Sequence, residues 1–237
     1  MTTEHSSQAF SSDEIRESAS GSMRGEDIHA RVHDLTLRAL RSRRFDRREI
    51  RDVVRAITEG ITLGAEQSRA DLRQSLAEAF RGLDDALRKS TEAGQMALRQ
   101  IVASGREFSE HELKQALSDM RKLEDDFLST LEQVTEGANA RVRPELREVL
   151  TRMRETGTST GKQLAGMMSE FTQRFSAASL DVALGGLEAA SEFSARFAQL
   201  AGGVLSGIAD AIAEKRAPAS GEAPVPPTPA GPAHRAS

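Results

Sequence analysis

Residues 157–163 read Gly-Thr-Ser-Thr-Gly-Lys-Gln, two glycines framing a hydroxyl run ahead of a lysine. This is the outline of a loop that cradles phosphate. Such a loop needs a glycine five residues before the second one, a Ser or Thr after the lysine to meet magnesium, and a strand leading in. Here Thr156 and Gln163 occupy the two diagnostic positions, and the flanking residues are helical in pattern. The stretch therefore reads as a flexible junction between helices.

His29 and His33 are one helical turn apart, a spacing at which two imidazoles can share a metal ion. The chain has no cysteine, and no third ligand stands nearby in sequence, so the two read as a surface pair. His111 lies between Glu110 and Glu112, but neighbours along a helix point in different directions, so this is no acid-base dyad. The carboxylate pairs Asp84 with Asp85 and Asp125 with Asp126 fall on the charged side of the repeat described next and read as solvated. No nucleophile elbow and no triad is present. The residue types point away from catalysis, and no cofactor or metal is expected.

What these residues sit on is a repeat. From Ile50 to Glu214 the chain divides into consecutive windows of eleven residues without an insertion or deletion. The fifth position of the windows carries Val54, Leu76, Leu87, Leu98, Met120, Leu131, Val142, Met153, Leu164, Phe175, Phe197 and Ile208, with Ala65, Ser109 and Gly186 as the exceptions. At about 100° per residue the first, fifth and eighth positions fall within roughly 60° of arc, one narrow apolar stripe on an α-helix. Eleven residues in three turns is about 3.67 per turn, which favours straight or gently right-handed packing. The expected fold is all-α: elongated amphipathic helices of 11-residue periodicity, in a coiled coil or an antiparallel bundle, with disordered termini. Val54, Leu76, Leu87, Leu98, Leu131 and Leu164 are the expected helix seam.

Composition agrees. The 237 residues include no Trp, Tyr or Cys, nine Phe and seven Pro, of which only Pro144 precedes residue 218. A formal net charge of −4 supplies no global field toward nucleic acid, so nucleic acid is not an expected partner. No signal-peptide core opens the chain, and its longest uncharged run, residues 197–209, is too short to span a bilayer. A cytoplasmic chain is expected, with peripheral contact to a granule or membrane surface as an option.

In chain order, residues 1–25 are polar and aperiodic and read as a disordered leader. Residues 26–45 read as a short basic amphipathic helix. A charged long-helix region follows over 46–160, opened by an Asp46-x-x-Glu49 capping box with Phe45 and Ile50 as a hydrophobic staple. Gly105, with Ser109 and Glu112 repeating the box, predicts a break at 105–108, and Pro144 predicts a kink or a new start. Against an antiparallel hairpin stands the unbroken eleven-residue phase, which favours nearly continuous rods, roughly 250 Å long if fully helical. Residues 161–216 form a Gly/Ala/Phe-rich helix whose back loses its charge, and 217–237 a Pro/Ala-rich tail.

Two groups could touch a partner. Arg38, Arg41, Arg43, Arg44, Arg47 and Arg48 belong to the densest basic patch and could meet an anionic surface, or could form acid-base pairs along the helix. Phe171, Phe175, Phe193, Phe197 and Ile208 lie on the low-charge end, where Gly185, Gly186, Gly202, Gly203 and Gly207 would let another backbone or a surface come close. These residues could pack between helices or insert into a lipid or polymer surface.

Tandem eleven-residue amphipathic repeats without Cys or Trp resemble the helices of exchangeable apolipoproteins and synucleins. With the Ala/Pro-rich tail, the body is similar in style to bacterial phasins, which coat polyhydroxyalkanoate granules. The resemblance rests on periodicity and composition and carries over no individual residue. It implies a non-enzymatic structural protein that coats a hydrophobic granule or lipid surface. The alternative is a self-assembling coiled-coil scaffold or adaptor, partnered by copies of itself in a homo-oligomer or by other helices.

Overall fold

The computed structural model describes residues 10–68, 71–103, 110–176 and 187–216, and these hold eight helices and no strand. They are α1 (Ser12–Ser22), α2 (Ile28–Arg41), α3 (Arg47–Gln67), α4 (Leu72–Ala103), α5 (Glu110–Gly137), α6 (Arg143–Thr156), α7 (Ser159–Ser176) and α8 (Leu187–Arg216). The all-helical class follows from the apolar stripe and the near absence of proline from the body.

Continuous rods are not what forms. The chain doubles back repeatedly, and residues far apart in sequence meet at matched heights. Arg16 on α1 reaches Glu59 on α3, and Arg24 reaches Gln67. Nearer the start of α3, Arg47 meets Asp126 and Arg55 meets Gln133 on α5. Both members of each pair advance together, so α1, α3 and α5 run parallel as one layer. The second layer holds α2, α4 and the α6 to α7 segment, with His29 beside Asp85, Arg73 beside Glu148 and Arg99 beside Glu170. Helix α8 returns the other way across α4 and α2, where Arg41 pairs with Asp210 and Phe197 stacks edge-on against Phe45 at 5.9 Å.

Several expected boundaries shift, each for a local reason. The leader is not disordered throughout, because residues 12–22 form α1. Ser11 caps it and Glu14 returns the bond in a full capping box, while Ile15 and Ala19 are buried. The turn into α2 is made by Gly25 and Asp27 in the left-handed region, at φ of 87° and 56°. Asp46 does cap α3, accepting the Glu49 N–H at 3.0 Å. A break that the eleven-residue phase conceals separates α3 from α4, where Asp71 accepts the Gln74 N–H at 3.2 Å. Pro144 lies in the first turn of α6 and starts that helix without kinking it, behind a turn in which Asn139 accepts the N–H groups of Arg141 and Val142. The expected break at 105–108 and the tail at 217–237 lie outside the described residues.

Close approach between the layers' hairpins depends on glycines in α3 and α4. A methyl group at Gly60 would strike the Arg16 carbonyl and lie 2.6 Å from Ala19 Cβ, and one at Gly64 would lie 2.7 Å from Met23. Gly82 meets the His29 carbonyl in the same way. Helices α1 and α2 thus settle directly onto the backbones of α3 and α4. The glycines expected to admit a neighbour behave otherwise: Gly202, Gly203 and Gly207 have open space where a Cβ would go, and Gly185 and Gly186 lie outside the described residues.

The interior divides into a main apolar cluster and a smaller one at the end where α4 finishes and α5 begins. The smaller cluster contains Leu98, Ile101, Leu117, Met120, Leu164, Met167 and Phe171. Phe197 and Leu200 touch both. Val54, Leu76, Leu87, Leu98, Leu131 and Leu164 are all buried, each such leucine contributing about 1.5–3 kcal/mol.

Candidate functional site

Three groups of residues carry the polar and apolar features that could meet a partner. The first lies where α7 begins. Thr158 caps this helix by accepting the Gly161 N–H, and it donates its own hydroxyl to Glu124 of α5 at 2.5 Å. Asp84, in mid-α4, accepts the N–H of Ser159 at 2.6 Å and of Thr160 at 3.0 Å, and the Thr160 hydroxyl at 2.8 Å. The unpaired N–H groups at a helix start attract an anion. At α7 that anion is the chain's own carboxylate.

This corrects two expectations. Asp84 is not on a solvated back, being only 6% exposed. The junction at 157–161 is a two-residue turn, with Gly157 at φ 71°, clamped from two helices. Beside it runs a cleft of about 430 Å³ between α4 and α6, walled by Arg73, Arg81, Glu148, Arg152, Asp84 and Ser159. Arg73 and Arg152 both bond to one oxygen of Glu148.

Further along the same interface, Gln95 of α4 donates to Glu170 at 2.7 Å and accepts from Gln163 at 2.9 Å, and Arg99 donates to Glu170 at 3.0 Å. That contact holds the Arg99 guanidinium above its ordinary value, chiefly through the hydrogen bond. A contrast emerges among buried polar groups. Asp84, Gln95, Thr158 and Thr160 all bond between helices, and all of those bonds engage α7. Thr36, Thr62, Ser90, Thr91 and Thr135 instead donate to the carbonyl four residues back in their own helix.

The second group is the phenylalanine end. Phe171 is buried within the smaller apolar cluster, and Phe197 is half-buried against Phe45. Ile208 is half-buried and packs on the main cluster, beside the buried Ala201, Leu205 and Ala209 of α8. The side chains of Phe175 and Phe193 lie outside the described residues. Met96 and Val102, at 40% and 43% exposure, leave apolar surface on α4 beside this cluster.

The third group is the arginine knot, which the fold splits. Arg41 pairs with Asp210 on α8, Arg43 with Glu49 and the Phe10 carbonyl, and Arg47 with both oxygens of Asp126 at 2.6 and 2.8 Å. The Asp126 hydrogen bond, joined by Asp119 and Asp125 nearby, raises the Arg47 guanidinium above its ordinary value. Arg38, Arg44 and Arg48 are exposed, as are Arg51 and Arg55 further along α3.

Of the two histidines expected at the surface, His29 is partly exposed and His33 is buried. His33 is 8% exposed and bonds Asp34, while His29 stacks on it at 6.2 Å and reaches Asp85 at 3.0 Å. Among the described residues no group of three or more metal-ligating side chains converges. No described helix is long and apolar enough to cross a membrane.

The Asp84 site escapes a sequence reading because a carboxylate in mid-helix looks alike whether it caps a distant helix or faces water. The α3 to α4 break was signalled by Asp71-x-x-Gln74, the same spacing as the Asp46 box.

A family model described as a family of unknown function, DUF6781, matches residues 5–214. No curated protein and no solved structure matches the chain.

Proposed function

The chain belongs to the DUF6781 family, a family of unknown function, and from that premise we propose that it is a non-enzymatic amphipathic helical protein that associates with a hydrophobic surface, as a phasin-like coat of a granule or lipid particle. The observation that carries the reading is where the buried hydroxyls find their partners. Thr36, Thr62, Ser90, Thr91 and Thr135 are each satisfied within their own helix. Separating those helices leaves these five hydroxyls with their partners, so at their faces an apolar particle can replace a neighbouring helix without orphaning them, whereas lifting α7 first requires breaking its bonds to Asp84, Gln95 and Glu124. Water cannot replace it as cheaply, because the apolar stripe would be exposed.

One end of the molecule supports such an opening. The smaller cluster around Phe171 has Phe197 at its border and the exposed Met96 and Val102 on the helix that carries Leu98 and Ile101. The expected seam is covered within one chain, so assembly through that seam is not required to bury it. In this reading Phe171, Phe197 and Ile208 contact the surface after α7 and α8 lift away, and the Asp84 clamp restrains that lift.

The test is adsorption of the purified chain to polyester beads and to triolein droplets, with amide exchange read on the particle. Binding accompanied by loss of the solution protection pattern in α7 and α8 is the expected result. A chain that stays in solution with both particles, or forms a stable oligomer indifferent to them, overturns the reading in favour of a scaffold.

A further inference from the structure

The arginine knot is two populations, and only one is accounted for by the fold. Arg41, Arg43 and Arg47 are spent on carboxylates. Arg44, Arg48, Arg51 and Arg55 are exposed, and among the described residues none of them makes an ion pair. Arg55 donates to the neutral side chain of Gln133 at 3.1 Å. Arg48, Arg51 and Arg55 are spaced by three and four, which puts them on one face of α3. Arg48 to Arg55 covers roughly 10 Å of that helix, and Arg44 lies just before the helix begins.

The neighbouring acids are fewer than the arginines of this line. Asp52 shares the helix, and Asp125 is exposed on the adjacent α5. Glu59, the next acid along the outward face, is taken by Arg16. Within the helix only Asp52, four residues after Arg48 and three before Arg55, is set against these three arginines, so the line keeps a net positive charge.

We infer that Arg44, Arg48, Arg51 and Arg55 form a docking face for the anionic headgroups of a phospholipid surface. The inference rests on the surface-association reading above and adds the electrostatic contact that brings the chain to such a surface. A plane meets only the outward line of a helix, whereas a polynucleotide following the protein's contour would meet the acids of a chain with net charge −4. Of the two aromatics at this corner, Phe45 is buried against Phe197 and Phe10 is partly buried against the main apolar cluster, a poor platform for base stacking.

The experiment is sedimentation with vesicles of phosphatidylcholine alone and with phosphatidylglycerol added, for the intact chain and for the R48Q/R51Q/R55Q variant. Circular dichroism checks that the variant is folded, as its exposed positions predict. An arginine near an anionic bilayer strengthens binding about fivefold, so the triple variant should bind on the order of 100-fold more weakly. Polyester-bead adsorption should be the same for both proteins, and high salt should release the intact chain from the anionic vesicles.

Equal vesicle binding by the variant overturns the inference. So does an intact chain that coats beads yet ignores anionic vesicles, an outcome that leaves the coat reading standing. Failure on beads with retained, arginine-dependent vesicle binding separates the two the other way. Tighter binding to a random single-stranded oligonucleotide than to vesicles would replace the lipid partner and overturn the proposal.

Discussion

The Asp84 carboxylate receives Thr160 twice, from its backbone N–H at 3.0 Å and from its hydroxyl at 2.8 Å, across a separation of 76 residues. One carboxylate on α4 thereby serves as the cap that the first turn of α7 needs. Its other oxygen takes the Ser159 N–H, so neither oxygen is idle.

Asp84→Ala should therefore destabilise the chain by about 2–4 kcal/mol, combining a lost cap with buried donors left unpaired. Urea denaturation gives the total, and amide exchange should place the loss in α7 first. If Asp84 is also the restraint on opening, the variant should adsorb to apolar particles faster than the parent. Unchanged exchange in α7 would remove Asp84 from that role.

Glycine substitutions separate contact from propensity. Gly60→Ala puts a methyl against the Arg16 carbonyl and should cost about 1–3 kcal/mol, with protection lost in α1. Gly203→Ala meets open space and should stabilise α8 by up to about 1 kcal/mol. Equal effects at the two positions would contradict the close docking of α1 on α3.

Phe197→Asp places a charge at the junction of the two apolar clusters, against Phe45. Stability should fall by about 2–4 kcal/mol, and adsorption to polyester or triolein should be lost. Phe197→Leu keeps apolar volume and should retain adsorption. Should the Asp variant still coat particles as the parent does, Phe197 is not part of the contact.

The start of α1 gives a pH dependence with a defined sign. Glu14 accepts the Ser11 N–H at 2.7 Å, and that backbone bond, followed by the bond to the Ser11 side chain, holds its carboxyl below the ordinary 4.5. A carboxyl whose folded value is depressed contributes stability above its unfolded value and loses it as pH falls through the folded one. Protection at the start of α1 should thus hold above pH 4.5 and fade on further acidification, and Glu14→Gln should flatten the response. A profile unaltered by that substitution would assign the titration to another group.

Much of the local structure was legible. The stripe through Leu76, Leu87 and Leu98 specifies helices, and Asp46-x-x-Glu49 specifies where α3 starts, because both depend on residues a few positions apart. The same local logic covers Asp71-x-x-Gln74, where the unbroken phase of the repeat masked a true break. Phase continuity proved compatible with a chain that turns back on itself, since a turn between two helices can preserve the count while reversing direction.

Sequence alone thus determined the all-helical class, the side of each helix that is apolar, and the contrast between a charged first part and a charge-poor end. The tertiary structure decided which stripe covers which, that Asp84 faces a helix start, and that Arg47 is spent on Asp126 while Arg48 is left outward. The reason is physical. Helical periodicity is set by neighbours within a turn or two, whereas a buried carboxylate or a paired arginine is defined by residues such as Asp210, which stands 169 positions from Arg41 and meets it only after the chain has folded.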